Sequence, residues 1–478
     1  MKLHLINIYQ FSWSYLFVLI CILSVPIASG KSIKSSVPRV VPDNSNHKRS
    51  FNSPHAHKFL VDGSNLPLVH FDIGDSYSGI LPAQSNATEL FFWFIPAQTD
   101  LGKNDLTFWT NGGPGCSSLI GATLENGPFR LGRKVEQNPY AWNKVSNVLY
   151  VEHPAPVGFS HGNVIINNEV DVARALFGFM QNFLEIFPEL KNANLWVTGE
   201  SYAGYYVTYF ADYIQRHSSE LALFLQGTLL IDPVLGEEIL QFEVPVYTFV
   251  KRNPNAFQFK PTFMAQLAEK NRLCGYEAYL EKYLQFPPPH APFGLPEPAS
   301  NGSGRVEKKC ELYALVSQPL RRNVDNIPNW WYSGPLMTKY FNRADVRAAL
   351  HIPKRAKKWT ACSSPKNSKA PAWDVYPQVI QNSKRTVMAF GAWDFRIIPD
   401  GAKLVIQNMT WGGKNGLTQP KPTPLNVPGQ GEMGSFRTDR KFTFIDVFEA
   451  GHMIPEDQPK VALQILQFLL GQKDSPSQ

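Results

Sequence analysis

Ser201 lies in the stretch Gly199-Glu200-Ser201-Tyr202-Ala203-Gly204, between an apolar run that reads as a strand (Asn194 to Thr198) and one that reads as a helix (Tyr205 to Arg216). A serine at a sharp strand-to-helix turn is presented as an exposed nucleophile. Small residues at Gly199 and Ala203 suit a turn too strained and crowded for larger side chains. The pattern is G-x-S-x-G with alanine in the last place. Taken alone, it also fits a polar loop joining a strand to a helix.

A nucleophilic serine needs a base, and the base needs a carboxylate to orient it. On α/β-hydrolase scaffolds these follow in chain order serine, acid, histidine. Downstream, Thr386 to Phe390 reads as a buried strand that ends at Gly391-Ala392-Trp393-Asp394. Phe442 to Phe448 reads as another, ending at Glu449-Ala450-Gly451-His452. Asp394 and His452 then both sit past the carboxyl ends of strands, where open α/β sheets carry out their chemistry. Each alone would pass for a helix cap or a loop residue; the three together, in this order, point to acyl transfer.

The elements that must position these residues alternate along the chain. Strands are expected at Leu90–Ile95, Leu106–Thr110, Val148–Glu152, Leu195–Thr198, Thr228–Ile231, Thr386–Phe390 and Phe442–Phe448. An amphipathic helix is expected from Val170 to Phe187, before the nucleophile strand, and a last helix capped by Asp457, burying Val461, Ile465, Leu466 and Leu469. The alternation predicts an α/β fold with a mostly parallel central sheet flanked by helices. Residues 58–235 and 336–470 form the two parts of its core, the Pro-rich, Cys-bearing stretch 236–335 reads as an inserted cap, and 471–478 is a polar tail.

At this point the chain resembles the serine carboxypeptidases. The matching blocks are WTNGGPGCSSLIGATLENGPF (109–129), NPYAWNKVSNVLYVEHPAPVGFS (138–160), GESYAGYYV (199–207), FNRADVRAALHI (341–352), LVIQNMTW (404–411) and EAGHMIPEDQP (449–459), in family order. The resemblance implies an α/β-hydrolase fold and removal of single residues from peptide carboxyl ends. It implies Ser201 as nucleophile, His452 as general base and then acid, and Asp394 as its orienting acid. It implies an oxyanion hole from the backbone N–H groups of Gly113 and Tyr202. Asn111, Gly112, Glu125 and Glu200 would meet the free carboxylate of the substrate, and Met453 would line the leaving-residue pocket.

Such a site must recognise a chain end as well as an amide. The Asn-Gly-Gly turn offers an amide donor and backbone donors that can approach a ligand closely. Glu125 and Glu200 are unusual partners for a carboxylate, since three acids together cannot all ionise. One must stay protonated and donate a hydrogen bond. Peptide hydrolysis is therefore expected to be favoured at acidic pH. Transfer of the same acyl group to an alcohol is the alternative reaction, and a lipase or esterase would leave Asn111 and Glu125 without a purpose. The chain departs from the family pattern at Ala392, Ile398, Pro156, His161 and Thr208, which puts fine specificity and the packing around Asp394 in question.

The chain has 478 residues, 44% hydrophobic, and can bury a large core. Residues 1–30 read as a secretory signal: Lys2, an apolar run from Phe11 to about Val25, then Ala28-Ser29-Gly30. Residues 31–57 are basic and polar and read as a disordered or pro-segment, with Lys48-Arg49 as a dibasic processing site. Through Arg49 there are six Lys and Arg against the single acid Asp43, so the formal charge of +7 falls to +2 without that leader. The charge therefore carries no argument for a nucleic-acid surface. The expected partner is a peptide or protein carboxyl terminus; no cofactor, metal or stable membrane anchor is called for. The compartment is the secretory pathway, extracellular or a vacuole- or lysosome-like lumen.

Of five cysteines, Cys21 falls in the signal and Cys116, Cys274, Cys310 and Cys362 remain, an even number that suggests two disulfides with three connectivities open. The family resemblance implies Cys116–Cys362 and, with it, Cys274–Cys310. Glycosylation sequons stand at Asn86, Asn301 and Asn408.

Overall fold

The computed structural model describes residues 51–477 apart from 52, 84–87, 163–165, 301–304, 319–333 and 364–367. The signal at 1–30, the dibasic site Lys48-Arg49 and the sequons at Asn86 and Asn301 lie outside the described residues.

Among the described residues, eleven strands form the path of one large sheet: β1 (Leu60–Val61), β2 (Ser76–Pro82), β3 (Thr88–Ile95), β4 (Asp105–Thr110), β5 (Asn147–Val151), β6 (Asn194–Glu200), β7 (Phe224–Ile231), β8 (Arg385–Gly391), β9 (Thr423–Val427), β10 (Gly431–Asp439) and β11 (Phe442–Val447). Their order is β1-β2-β3-β5-β4-β6-β7-β8-β11-β10-β9. The run from β5 to β11 is parallel, and antiparallel strands complete both edges. All seven expected strands are present with ends moved by a few residues; the antiparallel edges β2, β9 and β10 were not expected. Their residues gain strand conformation from pairing with a neighbour, a long-range cause that local propensity does not report.

The central strands are apolar throughout because both faces are covered. Phe92, Phe94, Phe108, Val197, Leu230, Phe390 and Phe444 point into one core, with helices Glu169–Ile186, Ala203–Arg216 and Pro399–Asn408. The alternate residues Trp93, Trp109, Trp196, Ile231, Ala389 and Ile445 point into the other, against helix Pro459–Leu469. Asn168 caps the first of these helices, accepting the Asp171 N–H at 3.1 Å, and Glu169 and Asp171 lie in its positive first turn.

Two expectations need correction. Asp457 does not cap the last helix, whose N-cap is Gln458. Its carboxylate accepts the Gly451 N–H at 2.7 Å instead, bracing the turn that carries His452. The segment expected to be disordered or a pro-segment through residue 57 is packed at its described end: Phe51 and Ala56 are buried, and the Phe51 ring packs edge-on to Tyr77, Phe94 and Phe187. The stretch from Gly236 onward carries the helices Val246–Arg252, Pro261–Leu273, Tyr276–Tyr283 and Leu312–Ser317 between β7 and β8. Among the described residues no helix is long and apolar enough to cross a membrane.

Candidate active site

Five neighbouring parallel strands, β4, β6, β7, β8 and β11, run to the same edge of the sheet. Past their carboxyl ends come Asn111, Ser201, Asp232, Asp394 and His452, in that spatial order. The chain order of strands reverses beside β4, whose neighbours are β5 and β6, and a crevice opens at such a switch point.

Ser201 occupies the turn between β6 and helix Ala203–Arg216 with φ +66°, a left-handed conformation that costs a non-glycine residue energy. The turn is held by the bonds of its own backbone. The Ser201 N–H donates to the Ile231 carbonyl at 2.9 Å, and its carbonyl accepts from the Gly204 and Val234 N–H groups, each at 3.0 Å. The next residue, Tyr202, is fixed from its other end, since its hydroxyl donates to Glu169 Oε1.

His452 Nδ1 donates to Asp394 Oδ2 at 2.7 Å, with both residues buried. The other Asp394 oxygen accepts the N–H groups of Arg396 (2.7 Å) and Ile397 (3.1 Å), so the carboxylate is fixed at both ends. Ala392 donates its N–H to the Val447 carbonyl at 2.8 Å, and Ile398 is fully buried in front of helix Pro399–Asn408.

The loop after β4 lies against the elbow. A β-carbon on Gly112 would sit 2.3 Å from the Tyr202 nitrogen, so only glycine allows that approach. Gly113 has φ +112°. Among the described residues, neither the Gly113 nor the Tyr202 N–H has a hydrogen-bond acceptor. Two unpaired backbone donors beside the serine are what an oxyanion requires.

Asn111 is oriented by two donors, the Trp109 indole and the Gly121 N–H, both 2.9 Å from its Oδ1. Its Nδ2 must therefore face the acids. It donates to Glu125 Oε1 at 2.9 Å and to Glu200 Oε1 at 3.4 Å. Both glutamates are buried and meet at the Asn111 amide. Burial pushes the Glu125 carboxyl above the usual range, against the smaller opposing effects of Glu200, Asn111, His452 and Arg130. Burial therefore favours the protonated form of Glu125 beside Glu200.

The two disulfides join Cys116 to Cys362 and Cys274 to Cys310. The first ties the loop after β4 to the segment before β8, reinforced by backbone bonds of 2.8 Å from Ser117 to Ala361 and from Ser363 to Gly115. Met453 is half-buried, next to the histidine. Asn408 is half-buried and exchanges hydrogen bonds with the backbone of Phe293.

Sequence reasoning missed two residues of the site. Arg130 donates to the carbonyls of Pro455 (2.7 Å), Glu456 (3.4 Å) and Glu125 (3.3 Å), joining the glutamate segment to the histidine segment. Asp232, in an ordinary Asp-Pro turn, lies beside Asp394 and His452; its place after a neighbouring strand was the one clue.

Comparison with known proteins agrees with this geometry. A family model described as serine carboxypeptidase matches residues 67–472. A protein of Arthroderma benhamiae named "Probable serine carboxypeptidase" is 34% identical over 465 residues, spanning 88% of this chain and 87% of the relative. Serine-type carboxypeptidase F of Aspergillus niger is 34% identical over 473 residues, spanning 86% of each. In three dimensions, the prohormone-processing carboxypeptidase Kex1 of Saccharomyces cerevisiae superposes with a TM-score of 0.72 at 21% identity, over 88% of this chain and 97% of that one. That likeness establishes the α/β-hydrolase fold.

Proposed function

The chain belongs to the serine carboxypeptidase family and hydrolyses peptides from their carboxyl ends, and on that premise we propose how its residues divide the work. Ser201 Oγ attacks the last peptide carbonyl while His452 takes its proton. Asp394 holds the imidazole with Nδ1–H toward itself, leaving the other ring nitrogen to act as base. The carbonyl oxygen, now negative, is met by the Gly113 and Tyr202 N–H groups, worth about 3 kcal/mol of barrier each. His452 returns the proton to the departing amino acid. Water then releases the acyl group from Ser201 by the same steps in reverse.

The observation that carries the exopeptidase reading is the buried pair Glu125 and Glu200, bridged by Asn111 next to the nucleophile. The pair retains a proton and gives it as a hydrogen bond to the substrate's terminal carboxylate, with the Asn111 amide and the Gly112 backbone beside it. An internal amide offers no such group. As pH rises and the pair loses its proton, two negative charges oppose the substrate, so peptide hydrolysis is favoured in acid. Met453 borders the leaving residue. The enzyme works in the secretory pathway, outside the cell or in a vacuole- or lysosome-like lumen, consistent with two disulfides and the signal-like first 30 residues.

The test is digestion of a peptide library at a series of pH values by wild type and Ser201→Ala. Release of single carboxyl-terminal residues by wild type alone is expected. Internal cleavage, or activity that survives in Ser201→Ala, would overturn the assignment.

A further inference from the structure

Asp232 directly follows β7 with φ +42° and is fully buried. Its N–H donates to the Ala389 carbonyl at 2.8 Å, and its Oδ1 accepts the Gly391 N–H at 2.9 Å. It is therefore stitched to the end of β8, the strand that leads to Asp394. One oxygen of Asp232, one oxygen of Asp394 and one ring nitrogen of His452 lie within 4.8 Å of one another.

The groups acting on Asp232 come from three elements. Asp394 faces it from the turn after β8, and His452 and Asp457 belong to the segment after β11. The Gly391 amide approaches from β8 itself. Two carboxylates this close in a dry site cannot both be charged. Asp394 already accepts the imidazole N–H and two backbone N–H groups, which stabilise a negative charge there. Among the described residues Asp232 accepts one backbone N–H only, so the proton belongs on Asp232.

We propose that Asp232 is a positioning residue of the catalytic centre: a neutral carboxylic acid whose O–H donates to the Asp394 carboxylate and so steadies the group that orients His452. Burial, with the neighbouring Asp394 charge, holds the Asp232 carboxyl well above the usual range, consistent with this role. The donated bond draws charge from Asp394 and keeps it from over-stabilising the imidazolium. This inference rests on the reading of Ser201, His452 and Asp394 as a triad.

The experiment follows kcat/KM against pH on a peptide with an amidated carboxyl end, a substrate that does not engage the Glu125–Glu200 pair. Ser201→Ala is measured first; turnover surviving in it would refute the triad reading, separately from anything Asp232 does. Asp232→Asn keeps a donor toward Asp394 and an acceptor for Gly391, and asparagine tolerates the left-handed backbone. Its acidic limb is expected within about 0.3 pH unit of wild type, since no charge is lost. Asp232→Gly suits the same backbone but removes the donor. Its acidic limb is expected to move up by about 1 pH unit, and kcat to fall about tenfold with KM changed far less. Asp232→Ser, too short to reach Asp394, replaces it if the glycine variant does not fold. A limb that drops by about 1 unit in Asp232→Asn would mean that Asp232 is charged, and a limb unmoved in Asp232→Gly, or in Asp232→Ser where it stands in, would mean that it is uncoupled. Either result overturns the proposal.

Discussion

A β-carbon added at Gly391 would lie 2.0 Å from the carbonyl oxygen of Gly451. Asp394 and His452 can share a 2.7 Å hydrogen bond because the two strand ends that carry them touch at that glycine. In Gly391→Ala the clash is with backbone, so the histidine turn must shift. We expect kcat/KM to fall about 100-fold, the cost of a misplacement near 1 Å. The rate at which a fluorophosphonate labels Ser201 checks it: labelling should slow in parallel, while a rate equal to wild type would mean that the two turns move independently.

The Glu125–Glu200 pair sets a pH window for peptide binding. The substrate carboxylate is ionised above about pH 3.5. Because burial raises the Glu125 ionisation, the neutral, donating form persists above the normal glutamate range and is lost as pH rises through that raised value. KM for a free peptide should therefore climb, by about tenfold or more, between mild acid and pH 8. KM for the amidated peptide should stay level. Glu125→Gln cannot ionise and should flatten the climb; a peptide KM that is already flat from pH 4 to 8 in wild type would contradict the pair's role.

Glu243 sits in the inserted region and accepts the Leu312 and Tyr313 N–H groups at 2.6 and 2.9 Å, starting the helix Leu312–Ser317. Burial, abetted by Glu238 and Glu311, raises its pKa from 4.5 to about 7. The folded state keeps the proton longer than the unfolded chain, so its contribution is fully present below 4.5 and lost as pH rises to about 7. That window is worth about 3 kcal/mol. Urea midpoints at pH 4.5 and 7.5 should differ less in Glu243→Gln than in wild type; equal differences would show that Glu243 titrates normally.

Cys274–Cys310 closes a loop with a sequence separation of 36. Replacing both with serine releases that constraint on the unfolded chain and should cost about 4 kcal/mol. Chemical denaturation measures it. A loss below about 1 kcal/mol would mean that the inserted region unfolds separately from the sheet.

Much of the catalytic plan is local and so could be read from the chain. Ser201 is flagged by the glycine and alanine around it, because the elbow leaves no room for anything larger. The seven interior strands are apolar on both faces, as Phe92 beside Trp93 and Val197 beside Trp196 illustrate, and that pattern is visible without a fold. The roles of Asn111, Glu125 and Glu200 came from family resemblance; only the structure shows why Asn111 faces two acids, since that depends on the Trp109 indole and the Gly121 amide.

What the linear order could not carry is which side chains share a dry volume. Neither Asp232 nor Arg130 stands out in the sequence, and Asp457 reads as a helix cap. Each acquires its place from partners at the far end of another strand or segment: Asp394, the Pro455 carbonyl and the Gly451 amide. The amino-acid order pointed to the proposed nucleophile, base and acid and to the strands beneath them, because neighbouring residues encode turns and runs. Tertiary structure alone decided which buried groups must share protons, because burial and proximity arise only when distant strands align their ends.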